Sequence, residues 1–286
     1  MAHLATAERG SAQRPGRPGL TRTPAGQPRV ERTPSDRWIA AGIAIGLLVL
    51  WETLSRAGVL SSTFVPAPTS IVRTLVAETA SGVLPLHLGA TLMRMVPGLL
   101  TGGLAGLVLG LAMGWSRRMR GVVDPFIAAM HPVPKLALLP LFMVLLGLGE
   151  TPRIVVVALA CYFPMLLSAM AGVRQISPVH FEIAKNYGAS RAQMLMRVVL
   201  PGSLPMVLTG IRLAANAALV LSIAVEIASA TTGLGSLVWL SWQVFRVELL
   251  YATIIITAIL GISINALLQW SARRLVPWLS EPQALL

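Results

Sequence analysis

Six stretches of this 286-residue chain are apolar over helical lengths, and the polar residues gather between them. They run over 38–56, 91–114, 136–149, 154–173, 206–229 and 249–270. A helix needs about 20 mostly apolar residues to cross a hydrocarbon core. Five stretches approach that length; the third is short and is open to a tilted or re-entrant course. Before the second, residues 66–86 begin Pro-Ala-Pro-Thr-Ser and continue IVRTLVAETA, with apolar residues at helical spacing beside Arg73 and Glu78. This predicts an amphipathic helix, either on the outer membrane surface or packed on the protein. The expected fold class is all-α, a polytopic membrane helical bundle of about six transmembrane helices.

Composition supports the membrane reading. Hydrophobic residues make up 55% of the chain and charged residues 12%, with mean hydropathy +0.73, whereas soluble domains carry roughly 25% charged residues. The formal charge is +12, and its distribution carries the information. Arg9, Arg14, Arg17, Arg22, Arg29, Arg32 and Arg37 precede the first apolar run, among five prolines and almost no large apolar residues. Residues 1–37 therefore read as a disordered basic tail that orients the chain and meets anionic lipid, with no nucleic-acid partner. No small-residue cleavage site follows the run that starts at Trp38, so that run is expected to remain as a span.

Orientation follows from the cations between spans. With the N-terminus inside, Arg117, Arg118 and Arg120 share one cytoplasmic loop, and Arg174, Lys185, Arg191 and Arg197 share the next. Arg273 and Arg274 then end the last span, so both termini lie in the cytoplasm of a multi-pass cell-membrane protein.

Little here suggests catalysis. Cys161 is alone in an apolar run, which excludes an intrachain disulfide and a thiolate metal site. His3, His87, His131 and His180 are scattered and read as structural. No catalytic set, cofactor motif or metal-ligand spacing stands out. Glu226, in LVLSIAVEIASA, is the sharpest charge within a span. A carboxylate at depth costs roughly 2.5–3.5 kcal/mol on insertion scales, so it either lines a translocation path or pairs with a cation such as Arg94 or with a helix end. Arg212, in the same span, is placed to snorkel. Glycines 98, 102, 103, 106, 110 and 114 recur through the second stretch, with Gly98 and Gly102, and again Gly102 and Gly106, at a spacing of four, and they predict a close helix-packing seam. Pro132, Pro134 and Pro140 predict broken geometry around the third stretch, as a gating feature or a helix entrance.

The segment 174–205, RQISPVHFEIAKNYGASRAQMLMRVVLPGSLP, is too polar to span and too patterned to be a linker. Ser177 and Pro178 form a helix start, with the serine hydroxyl expected to cap free amides. Gly188 suits the left-handed residue that closes the helix. Ser190 with Gln193 makes a capping box that opens a second helix, and Pro201 is expected to stop it. Ile183, Ala184, Tyr187, Leu195, Val198 and Val199 supply an apolar face.

This segment resembles the cytoplasmic loop motif, often called the EAA motif, of permease subunits of binding-protein-dependent ABC importers. Glu182, Gly188 six residues on, Val198 ten further, and Leu200-Pro201 stand at the motif places, with Ile183 where alanine is common. FVPAPTSIV, SRRMRGVVDPF, HPVPKLALLPLFMVLLGLGE and ATTGLGSLVWL are similar to the nitrate, sulfonate and taurine branch, and the likeness covers about 64–278. The resemblance implies a type I ABC importer permease. In it Glu182, Ile183, Ala184, Gly188, Ala189, Val198, Leu200 and Pro201 form the ATPase-coupling loop. It implies two cytoplasmic ATP-binding subunits, a second permease copy in a homodimer, an extracytoplasmic solute-binding protein, and a small anion such as a sulfonate, taurine or nitrate as cargo. The expected domains are the tail 1–37, a permease domain 38–278 and a short tail 279–286. The chain has no Gly-Lys-Ser/Thr phosphate loop, since Lys135 follows Pro134 and Lys185 follows Ala184. The rival reading is an ion-gradient-driven secondary transporter or channel. The single cytoplasmic helix pair and the lack of a second matching half argue against it.

Overall fold

The computed structural model describes residues 34–276, with side chains from Trp38 onward. The basic tail as far as residue 33 and the C-terminal tail 279–286 lie outside the described residues. Helix α1 runs Pro34–Arg56, beginning four residues before the apolar run. Two compact units are distinguished, Met1–Leu47 and Leu48–Leu286. In the first, the described residues form the start of α1. The second holds the end of α1 and all other helices: α2 (Pro68–Ala80), α3 (Val83–Trp115), α4 (Arg117–Met130), α5 (Leu139–Leu146), α6 (Glu150–Arg174), α7 (Pro178–Asn186), α8 (Arg191–Met194), α9 (Leu200–Ser229), α10 (Leu234–Gln243) and α11 (Val247–Leu275). Among the described residues five helices are long and apolar enough to cross a membrane, and a bent pair would make a sixth.

Helix α6 is the centre of the second unit. Along one side, the glycine ladder of α3 meets its backbone directly. A Cβ at Gly102 would lie 1.9 Å from the Ala158 carbonyl oxygen, and one at Gly106 or Gly110 would lie 2.4 Å from the Tyr162 or Leu166 oxygen. Only hydrogen side chains allow that approach, and the close contact supplies dispersion attraction where lipid removes the hydrophobic drive for helix pairing. The other side of α6 packs Cys161, Met165 and Ala169 against Val207, Ala214 and Ala218 of α9. Cys161 is buried and unbridged.

The spans run longer than the apolar stretches, because hydropathy falls at charges that the fold compensates. Helix α3 begins at Val83, eight residues before the apolar stretch, so His87 lies inside it. The third stretch changes most. It is the second half of a broken element, α4 followed by Lys135–Leu146, bent by 87° between its halves. Helix α4 carries Arg117, Arg118, Arg120 and Asp124 and therefore reads as loop, yet its Ile127 packs on Met113, Phe163 and Leu166. The break falls at His131–Pro134, where Pro132 and Pro134 cannot donate helical hydrogen bonds.

Helix α2 packs on the protein. Ile71 is buried, Leu75 joins Leu84, Leu237 and Leu249, and Glu78 pairs with Arg246 at 2.6 Å.

Pro201 does not stop the second helix of the 174–205 segment. Residues Arg191–Ser229 form one continuous helix with a π-turn at Leu195–Val199 and Pro201 in the first turn of α9. The wider turn accommodates the ring and the carbonyl that a proline leaves without a donor.

Candidate functional site

Two features lie at opposite ends of α6, about 36 Å apart at 1.5 Å per residue. The first is the α7–α8 pair. Pro178 opens α7, while Ser177 makes no side-chain cap bond, so the proline alone presets that start. Gly188 has φ +73° and closes α7 as a Schellman turn. The Ala189 amide donates to the Ala184 carbonyl at 3.0 Å and the Gly188 amide to the Lys185 carbonyl at 3.0 Å. Ser190 and Gln193 then cap each other's backbone amides in a reciprocal box.

The apolar face divides. Val199 is fully buried, whereas Ile183, Tyr187 and Met196 are exposed, Tyr187 at 89%. Ile183, Ala184, Arg197, Val198 and Pro201 line a cavity of about 660 Å³ between α7 and the next helix. Glu182 lines a separate cleft with Arg117, Arg120 and Arg174. Leu200 is half-buried.

The second feature is a cluster of charges where α3, α6, α9 and the loop before α10 meet. Arg94 and Glu226 are 3% and 0% exposed and pair at 2.9 Å. Arg94 also grips the half-exposed Glu150 through two nitrogens, at 2.5 and 3.0 Å. It donates further to the Thr232 carbonyl at 2.6 Å and hydroxyl at 3.0 Å. All five guanidinium N–H groups are thereby used. The carboxylate of Glu226 accepts from Thr91 at 3.0 Å and from the Gly235 amide at 2.9 Å. Arg153 donates to Glu150 at 2.7 Å and to the Ser229 carbonyl at 2.5 Å. Two cations thus balance two anions, and the carboxylate of Glu226 is directed wholly at protein.

Sequence reading missed Glu150, Thr91 and the loop 230–235 as partners. Their signal was present as a Thr at the fourth position from His87 and a Gly-Leu-Gly string after the acid-bearing span, but their meeting is set by the tertiary fold.

Gly233 seals this cluster. Its φ is +119°, and a Cβ there would lie 2.2 Å from the Glu226 carboxyl carbon. Gly233→Ala is expected to cost about 3 kcal/mol from combined backbone strain and overpacking. At Gly58, with φ +74° and nothing within 4 Å, alanine meets strain alone and should cost less. Thermal unfolding of both variants in detergent checks the difference.

The long apolar helices and the buried, compensated charges are those of a multi-pass integral membrane protein. Residues 102–281 match the family of binding-protein-dependent transport system inner membrane components, and the chain belongs to that family. It is a permease subunit of an ABC importer, and the ion-gradient reading is set aside. The taurine transport system permease protein TauC of Escherichia coli (strain K12) is 36% identical over 250 residues, covering 86% of this chain and 91% of that protein. The putative aliphatic sulfonates transport permease protein SsuC of Bacillus subtilis (strain 168) is 31% identical, covering 81% and 84%. Among solved structures, a chain of an amino acid ABC transporter with histidines aligns at TM-score 0.56 and 20% identity, covering 70% of this chain and 97% of that one. A chain of the inward facing MetNI methionine ABC transporter aligns at TM-score 0.53 and 18% identity, covering 66% and 94%.

Proposed function

We propose that two copies of this permease enclose the path of a small sulfonate-type anion and that separate ATP-hydrolysing subunits grip its 174–205 helix pair. The observation that carries this is the exposed apolar face of a helix pair locked by a Schellman turn and a capping box. Ile183 on α7 and Tyr187 at its C-cap offer a protein partner area that water disfavours. The turn through Ala184, Gly188 and Ala189 fixes the angle at which α7 is held, and Glu182 faces the neighbouring arginine-lined cleft. Val198, Leu200 and Pro201 lie on the continuous helix Arg191–Ser229, so a push on α7–α8 reaches the other end of the bundle through a rigid rod. The lack of a phosphate loop in the chain supports hydrolysis by partners.

Placing α7–α8 in the cytoplasm puts Arg117, Arg118, Arg120, Arg174, Arg191, Arg197, Arg273 and Arg274 on that side, as the positive-inside bias favours. Both termini are then cytoplasmic, and a solute-binding protein delivers cargo at the opposite end. The choice of a sulfonate rests on the taurine and aliphatic sulfonate relatives.

Gly188→Val tests the coupling role. The site is open, with nothing within 4 Å of a Cβ, so the cost is the left-handed backbone alone, roughly 1–2 kcal/mol and more for a branched side chain. The spans should insert normally, while α7 tilts against α8. Co-purifying ATPase and taurine uptake should both fall, and Gly188→Ala should be milder. Normal uptake and ATPase recovery in a well-expressed Gly188→Val would remove this segment from the coupling role.

A further inference from the structure

Lys135 is a charge that nothing described so far uses. It opens the second half of the broken element, and no ion pair involves it among the described residues. Its ammonium donates to the His131 carbonyl and lies 4.7 Å from the centroid of the Phe163 ring. The His131 ring meets the same phenyl edge-on at 5.4 Å.

Phe163 fixes the depth of this group. It is 13 residues from the start of α6 and 11 from its end, which is about 20 and 16 Å along the axis. The hydrocarbon core is about 30 Å thick, so the ammonium sits well inside it. A lysine facing lipid there costs roughly 2.5–3.5 kcal/mol on insertion scales, and one cation–π contact returns about 0.5–2 kcal/mol. The backbone beside it poses the same problem. Residues 131–134 are non-helical and exposed, and irregular backbone at membrane depth persists only where protein covers it or it lines a water-filled cavity.

Both observations exclude lipid from this break, and of the two covers left, a second copy of the chain or water, the ammonium without an ion-pair partner among the described residues favours water. A water-lined cation without a counter-charge favours an anion. Phe163 and the His131 carbonyl hold the ammonium in one place, and an anionic group arriving there completes its hydrogen bonding with a charge-assisted bond. We infer that Lys135, at the break between α4 and α5, is the mid-membrane binding point for the anionic group of the cargo. Its ligand class is a small sulfonate or a similarly compact oxyanion. The inference deepens the transport function proposed above and rests on it for the identity of the cargo.

Lys135 and Lys185 are the only lysines in the chain, which permits a test without mutation. The permease with its co-purified ATPase, in lipid nanodiscs, is treated with a membrane-impermeant amine reagent, both nucleotide-free and nucleotide-trapped. Mass spectrometry then reads the two lysine peptides separately, with Lys185 read in a parallel sample of permease freed of ATPase, where α7 is uncovered, reporting that the reagent is active. Lys135 should label in at least one state. Ethanesulfonate at ten times its apparent dissociation constant should slow that labelling about tenfold, and the neutral ethanesulfonamide should not. A Lys135 that stays unreactive in both states while Lys185 labels, or that labels at one rate with and without ethanesulfonate, overturns the inference. Taurine uptake by proteoliposomes of the same preparation is measured in parallel. Protection without taurine uptake would sink the cargo assignment and leave the anion site standing, whereas uptake without protection would sink the site alone.

Discussion

Arg94→Leu is expected to destabilise the folded permease by about 3–5 kcal/mol, the range for removing one partner of a buried ion pair. Arg94 provides the only cation in contact with Glu226 among the described residues, and leucine would strand that carboxylate at 0% exposure with only Thr91 and the Gly235 amide as donors. Glu150 would lose two bonds but keeps Arg153 and water, so most of the damage falls on Glu226. The Thr232 carbonyl and hydroxyl lose their donors as well, which frees the loop before α10. Arg94→Lys should be milder, because it keeps the charge while losing the fork that reaches Glu150, Glu226 and Thr232 together. Glu226→Gln tests the same pair from the other side. The amide oxygen can still accept from Thr91 and Gly235, but its NH₂ then faces the Arg94 donor. Resistance to unfolding in a graded SDS titration should fall in the order wild type, Arg94→Lys, Arg94→Leu. An Arg94→Leu protein as resistant as wild type would mean that Glu226 has another counter-charge in the assembled transporter.

How much of this was legible in the sequence follows from which signals are local. Gly188 could be placed at a left-handed turn because the residues that need it are its neighbours, and the Ser190–Gln193 box closes within four residues. The glycine ladder of α3 was readable from its period of four, although its partner α6 was not. Pairing of Glu226 with Arg94 was one of two open readings, since a sequence gives the cost of a buried charge but not the direction it points. Readings failed where a local rule met a tertiary compensation. Pro201 looks like a stop until a π-turn supplies the slack. Residues 117–130 look like loop because Asp124 and three arginines lower the hydropathy, and only packing on Phe163 and Leu166 reveals them as half of a broken element.

Gly102→Val should abolish recovery of folded protein, with a cost of at least about 3 kcal/mol, at the upper end for overpacking. Here the obstacle is backbone. The added Cβ alone would lie 1.9 Å from the Ala158 carbonyl oxygen and 2.6 Å from its carbon, and neither atom can turn aside as a side-chain tip does. The α3–α6 seam would have to open along its length, because Gly98, Gly106, Gly110 and Gly114 lie on the same face and meet α6 almost as closely. Opening it also moves Arg94 on α3 away from Glu150 on α6, so loss of the seam and loss of the charge cluster reinforce each other. Gly103, one residue on, has nothing within 4 Å, and Gly103→Val keeps helix propensity and apolar character the same as in the test variant. It should insert and assemble like wild type. Folded yield by size-exclusion chromatography, read for both variants at equal expression, gives the comparison. Equal yields would show that α3 and α6 separate readily, and that the glycine ladder is not what holds them together.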